Sequence, residues 1–192
     1  AENGLLMNIL GIDISTSVTA YSLMNTEVSQ RNKVIKYDGI HLEKEKSLYN
    51  KAELVRESFT RLASEYKIDK IYVEESLQAF RRGLSSARTL STLSRFNGVV
   101  CYLAEDIFKV EVHLVNVIHA RSHLGIKINR KLEASVKDQV LDWSLAREEF
   151  NGIAWPTKVL KSGPRKGQEI KDKSCYDIAD ASVMALYGSL SP

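Results

Sequence analysis

Four acidic residues stand at the edges of apolar segments, where a folding chain normally avoids charge. Asp13 ends the run Asn8-Ile9-Leu10-Gly11-Ile12, and Glu74 ends Ile71-Tyr72-Val73. Asp177 and Asp180 open the apolar stretch that continues to Leu186. A carboxylate at the end of a buried segment costs folding energy unless it is paired or binds a cation. Four such groups, spread over almost the whole chain, are most simply reconciled if the fold gathers them into one site.

The patterning says how the gathering occurs. Asn8–Ile14 reads as a strand buried on both faces. Val18–Met24 and Lys33–His41 follow as two more strands after short turns, making an antiparallel meander. Ser47–Tyr66 has helical spacing, with Leu48, Ala52, Val55, Phe59, Leu62 and Ala63 on one face. Lys70–Glu74 is short and apolar, as an interior strand would be. Ser85–Glu105 reads as a long helix. Its apolar residues (Leu90, Leu93, Phe96, Val99, Val100 and Leu103) form a stripe wide enough for burial on two sides, as at a dimer contact. Glu111–Val115 is a fifth strand and Val117–Leu124 a short helix. Lys131–Phe150 is expected to be one helix with Ala134, Val140, Leu141 and Leu145 facing inward. Asn151–Lys173 carries Pro156, Pro164, Gly152, Gly163 and Gly167, which predicts a long loop or extended hairpin. Tyr176–Tyr187 closes the chain as a helix. This order gives an α/β fold, a mixed five-stranded sheet flanked by helices, with the order of the ribonuclease-H-like fold. Residues 7–190 are read as one domain of this fold, and residues 1–6 as an expression remnant or disordered N-terminus.

Bulk composition is that of a globular protein: 192 residues, 44% hydrophobic and 27% charged. No apolar run approaches the roughly 20 residues of a membrane span. No secretory signal is evident at the N-terminus. The expected location is therefore cytoplasmic or nucleoid-associated, or an organelle, viral or phage equivalent, and not secreted. Cys101 and Cys175 form no ligand pattern and read as buried reduced thiols. Net charge is only +3, but it is unevenly spread. Arg81 to Arg95 holds four arginines and no acid, His119 to Lys131 four Lys/Arg and no acid, and Asn151 to Lys173 six Lys/Arg against Glu169 and Asp172. Such clustering suits a nucleic-acid partner.

Gly11-Ile12-Asp13, Val73-Glu74 and Asp177-Ile178-Ala179-Asp180-Ala181, in this order and spacing, resemble the three motifs of the RuvC-type Holliday-junction resolvases from about Met7 to Leu186. The chemistry is consistent with the pattern. Two Mg²⁺ ions about 4 Å apart serve phosphodiester cleavage, and hard cations take carboxylate oxygens; Mn²⁺ suits the same donors. Asp13 would bridge both ions and Glu74 would hold one. Asp177 and Asp180, at i and i+3, would share a helix face. Glu75 is expected to point the other way, but would replace Glu74 if a bulge shifted the register.

The resemblance also implies a basic helper in Lys137, within Lys137-Asp138-Gln139-Val140. A second site lysine has no match: Ala120 falls there, and its neighbour Arg121 is the candidate substitute. Phe80 would stack on an unpaired base, with Arg81, Arg82 and Arg88 on phosphates. Lys158, Lys161, Arg165, Lys166, Lys171 and Lys173 would grip a DNA arm. His119 and His123, four residues apart, read as surface or phosphate-contacting residues and not as a zinc site. The implied partners are branched DNA, above all a four-way junction, and a second copy of the chain, since two symmetric nicks need a two-fold dimer. The implied activity is junction resolution by paired metal-dependent nicks. The alternatives are a nuclease of the same fold acting on flaps, forks or RNA, an actin-like nucleotide-binding protein suggested by Gly11 to Thr19, and a DNA-binding scaffold with structural acids.

Overall fold

The computed structural model describes residues 6–26, 32–75 and 86–191. Strands β1 (Met7–Asp13), β2 (Val18–Thr26) and β3 (Lys33–His41) form the expected meander. Helix α1 (Leu48–Glu65) leads to β4 (Lys70–Glu74), and α2 (Ala87–Phe108) to β5 (Val112–Val115). Then come α3 (Val117–His123), α4 (Val136–Leu145), a 3₁₀ turn at Glu148–Phe150, the hairpin strands β6 (Thr157–Val159) and β7 (Glu169–Lys171), and α5 (Ser174–Leu190). The five-stranded sheet has the order β3-β2-β1-β4-β5. β1 pairs antiparallel with β2 and parallel with β4, and β4 pairs parallel with β5.

Side-chain alternation divides the sheet into two cores. Leu10, Ile12, Ile71 and Val73 pack with Val55, Phe59 and Leu62 of α1 and with Phe96, Val100 and Leu103 of α2. Ile9 and Tyr72 face the other way, into a cluster with Val183 and Met184 of α5. α5 is apolar nearly all round because it is covered nearly all round: Ile178, Ala181, Ala185 and Leu186 meet β2 and β3, while Cys175 and Ala179 meet Leu141 of α4. The contact between α5 and β1 is unusually close. A Cβ on Gly11 would stand 2.0 Å from the Ala181 carbonyl oxygen and 2.5 Å from the Ala185 nitrogen.

Three expectations change. The segment Lys131–Phe150 is not one helix. Ser135 accepts from the Asp138 amide at 3.1 Å while its own amide donates to Asp138 Oδ2 at 3.1 Å, a capping box that starts α4 only there. Ahead of it the Gln139 side chain accepts from the Asn129 amide and donates to the Asn129 and Ala134 carbonyls, which fixes a turn where helix was expected. Ala134 is accordingly exposed and does not face the core. α2 also runs three residues past Glu105, ending where Lys109 takes a left-handed conformation at φ 58°. Asn151–Lys173 forms a hairpin, as one of its two readings had it. Cys175 is buried, but Cys101 is half-buried, its thiol pushed up to about 11 by desolvation. No helix among the described residues is long and apolar enough to cross a membrane.

Replacing Gly11 with Ala is expected to lower stability by about 1–3 kcal/mol, the usual cost of overpacking, seen as a lower urea midpoint at unchanged slope.

Candidate active site

Strand parity carries the first two carboxylates to one place. Asp13 lies two residues beyond Gly11 and four beyond Ile9, so it faces α5. Glu74 lies two beyond Tyr72 and faces the same way. Ile12 pairs with Val73 in the parallel register, so the residue after each brings Asp13 beside Glu74. Glu75 is excluded from this face by the same alternation: its amide bonds to the Val115 carbonyl at 2.8 Å, and the cavity is lined by Glu74. The first turns of α5 then place Asp177 and Asp180 over the strand ends. All four acids line one cavity of about 520 Å³, together with Arg121, Lys137, Lys173, Tyr176 and Ser15.

Two cations are built into the walls. Arg121 of α3 donates from Nη2 to Asp180 Oδ1 at 3.2 Å, with both side chains largely buried. Its Nε is buried without a partner among the described residues. Lys137 stands in the first turn of α4. The Asp138 side chain that caps this helix also accepts from Tyr176 at 2.7 Å, tying α4 to α5 and setting Lys137 opposite Asp177. Lys173 adds a third positive group and is ion-paired with Glu43.

The electrostatics are those of an undercompensated anionic site. Burial is the largest influence on every one of the four acids and raises each above the usual carboxylate range. For Asp13 the charges of Asp180, Glu74 and Asp177 push further up, outweighing Lys137. Glu74 is raised from 4.5 to about 7. Asp180 is drawn partly back by Arg121, and Asp177 by Lys137 and a hydrogen bond with Asp13. Among the described residues no three acid, His or Cys side chains stand as a finished coordination shell. Asp180 gives an oxygen to Arg121, and Asp177 is engaged with Asp13. The donor set is nevertheless four carboxyl groups held against their own repulsion, the chemistry that hard divalent cations take.

The other expected residues divide into four groups. Arg88 lines a shallow depression with Thr16, Thr89 and Thr92, which shares Ser15 and Leu93 with the acidic cavity, so it stands at the rim. Lys158 is exposed on β6, 4.0 Å from Asp172. Lys161, Arg165 and Lys166 are exposed in the hairpin, which leads through Lys171 into Lys173 at the cavity. Phe80, Arg81 and Arg82 lie outside the described residues. His119 and His123 are exposed, as expected, and their rings pack edge-on to Tyr187 at 5.9 and 5.4 Å. Tyr176 and Ser15 carry no motif that would have singled them out. Lys173 was foreseen only as a DNA-gripping residue, although its spacing of four from Asp177 was a usable signal.

No protein-family model and no curated protein sequence matches the chain. Solved structures do. A structure described as Thermus thermophilus RuvC in complex with Holliday junction substrate superposes with a TM-score of 0.63 at 14% identity, covering 94% of this chain and 92% of that one. Thermus thermophilus RuvC itself superposes at 0.60 and 13% identity, over 94% and 92% of the two chains. The yeast mitochondrial Holliday junction resolvase Ydc2 gives 0.59 at 17% identity, over 95% and 78%. The fold is that of the RuvC-type resolvases. The mixed sheet expected from the order of elements is thus found, down to the meander and the closing helix.

A raised carboxylate pKa has a definite sign in stability. Between 4.5 and about 7 the folded chain binds more protons at Glu74 than the unfolded chain, so this contribution is full below 4.5 and is lost as pH rises through 7. In cation-free buffer Glu74→Gln should therefore be more stable than the parent at about pH 8, by on the order of 2 kcal/mol, and the advantage should shrink severalfold by about pH 5. Thermal melts at the two pH values check this. Equal melting at both would show that Glu74 is not held in its protonated form by the fold.

Proposed function

We propose that this chain is a divalent-cation-dependent endonuclease that resolves four-way DNA junctions by paired nicks. The observation that carries the reading is the convergence of Asp13, Glu74, Asp177 and Asp180, from three separate elements, on one cavity whose other walls supply Arg121 and Lys137. The likeness to resolvase structures supports the junction as substrate, and the basic hairpin supports DNA as the class of partner.

Asp13, Glu74, Asp177 and Asp180 would hold two Mg²⁺ or Mn²⁺ ions. When bound, such ions activate water and offset charge on the departing oxygen. The protein's own groups do the rest. Lys137 is exposed to the cavity and meets a non-bridging oxygen of the scissile phosphate, where charge grows during attack. Arg121 holds Asp180 and offers its remaining donors to the same phosphate. Arg88 at the rim and Lys158, Lys161, Arg165 and Lys166 on the hairpin bind the backbone of the arms; Phe80 with Arg81 and Arg82 would act at the crossover.

Two symmetric nicks need two sites. The outer face of α2 is the proposed homodimer contact. Val99 and Tyr102 there are 39% and 66% exposed, and the neighbouring Gly98 has open space above it.

End-labelled four-way junction, flap and linear duplex, each with and without Mg²⁺, provide the test. The parent chain should cut the junction in paired symmetric positions. Asp13→Asn should bind it but cut at least about 100-fold more slowly, and Lys137→Ala about 10–100-fold more slowly. Equal cutting of flap and duplex would keep the cation chemistry and remove the junction assignment. Binding without any cutting would make the carboxylates structural. Sedimentation should show a dimer that Tyr102→Arg weakens at least tenfold.

A further inference from the structure

A second cavity of about 570 Å³ adjoins the acidic one, and of the residues assigned to cleavage Arg121 alone is among its described lining. The two share a wall. Arg121 lines both, and of two consecutive residues in α4, Val136 faces the second cavity while Lys137 faces the first. Its volume lies within the ~300–1,000 Å³ of cavities that enclose small ligands.

The lining is unusual for a surface recess. Ile118, Ile128 and Val136 form apolar walls, and two of them are left open to water, Ile118 at 65% and Val136 at 39% exposure. Around them stand Lys127, Arg130 and Arg121, with no carboxyl group among the described lining residues. Ser122 adds a hydroxyl that can donate and accept. A protein segment with an acidic face could use the charges, but it would have no reason to lie against the phosphate-binding wall of the nuclease site. A nucleotide has that reason. Its base has two apolar faces and a polar edge, and its phosphates are anionic. Enzymes that accept an unstacked base hold it between apolar side chains and read its edge by hydrogen bonds.

We infer that this cavity is a nucleotide subsite, which receives one unstacked base of the strand being cut, next to the scissile phosphate. The inference rests on the nuclease reading. Ile118, Ile128 and Val136 hold the faces of the base, Lys127 and Arg130 bind the adjoining phosphates, and Arg121 spans the base-binding and cleaving cavities. Identity of the base at this position then sets where along a branched DNA the chain cuts.

The test uses full-length protein carrying Asp13→Asn, to stall cleavage, and junctions with 2-aminopurine at each position within two nucleotides of the cut made by the parent chain. Emission should rise severalfold at one position. Ile118→Glu, at an exposed position, should abolish that rise and weaken junction binding about tenfold, the effect of losing one stacked base. In the cleaving parent background it should raise KM more than it lowers kcat and flatten the base preference around the cut; Lys127→Ala should keep the emission change and weaken binding less. Unchanged emission at every position, on a junction that the parent demonstrably cuts, would overturn the subsite and leave the nuclease intact. Failure of the parent to cut any branched DNA would instead overturn the nuclease reading, and this inference with it.

Discussion

The close seat of α5 on β1 is the constraint on which everything else depends. A helix normally stands off a sheet by the length of its side chains. Here Gly11 has none, and Ala181 and Ala185 have only a methyl, so backbone approaches backbone. That approach brings Asp177 and Asp180 within reach of Asp13 and Glu74. A bulkier residue at any of these three small positions would lift the helix and open the acidic cluster without touching an acid. The glycine of the first motif is thus a packing residue whose effect is chemical.

The fold maintains an arrangement that its own electrostatics oppose. Four carboxyl groups are desolvated beside one another, and among the described residues Arg121 and Lys137 answer them directly, while Lys173 is shared with Glu43. The stability needed to hold them comes from elsewhere, from two apolar cores on opposite faces of one sheet. Burial that raises carboxylate pKa values without an equal number of partners is common at sites that act on a charged ligand.

Much of this was legible in the chain. Period-two alternation in Ile9 to Asp13 and in Ile71 to Glu74 is enough to put both acids on one face, and the i, i+3 spacing of Asp177 and Asp180 to put both on another. The meander and the hairpin announced themselves through turn residues. What was not legible depends on single side chains acting over distance. Gln139 folds back on Asn129 and Ala134 and so ends a helical pattern that apolar spacing alone would have continued, although Ser135 and Asp138 already spelled its true start. Tyr176 reaches the cavity because Asp138, far away in the chain, needs its hydroxyl. The partly filled role of Arg121 follows from the seat of α3 against α5, which no local pattern encodes.

One feature of α4 has a thermal consequence. It has ten residues, too few to persist as a helix in isolation, and it is held by Val140, Leu141 and Ser144 on its inner side and by the Asp138–Tyr176 hydrogen bond. Segments of this kind detach by local unfolding at lower free energy than the sheet melts. When α4 lets go, Lys137 leaves the cavity while the four carboxyl groups, carried by β1, β4 and α5, stay assembled. The molecule thus carries its four acids on elements tied to its global stability and one of its cavity cations, Lys137, on an element tied to a local one, so warming withdraws Lys137 while the acids are still in place.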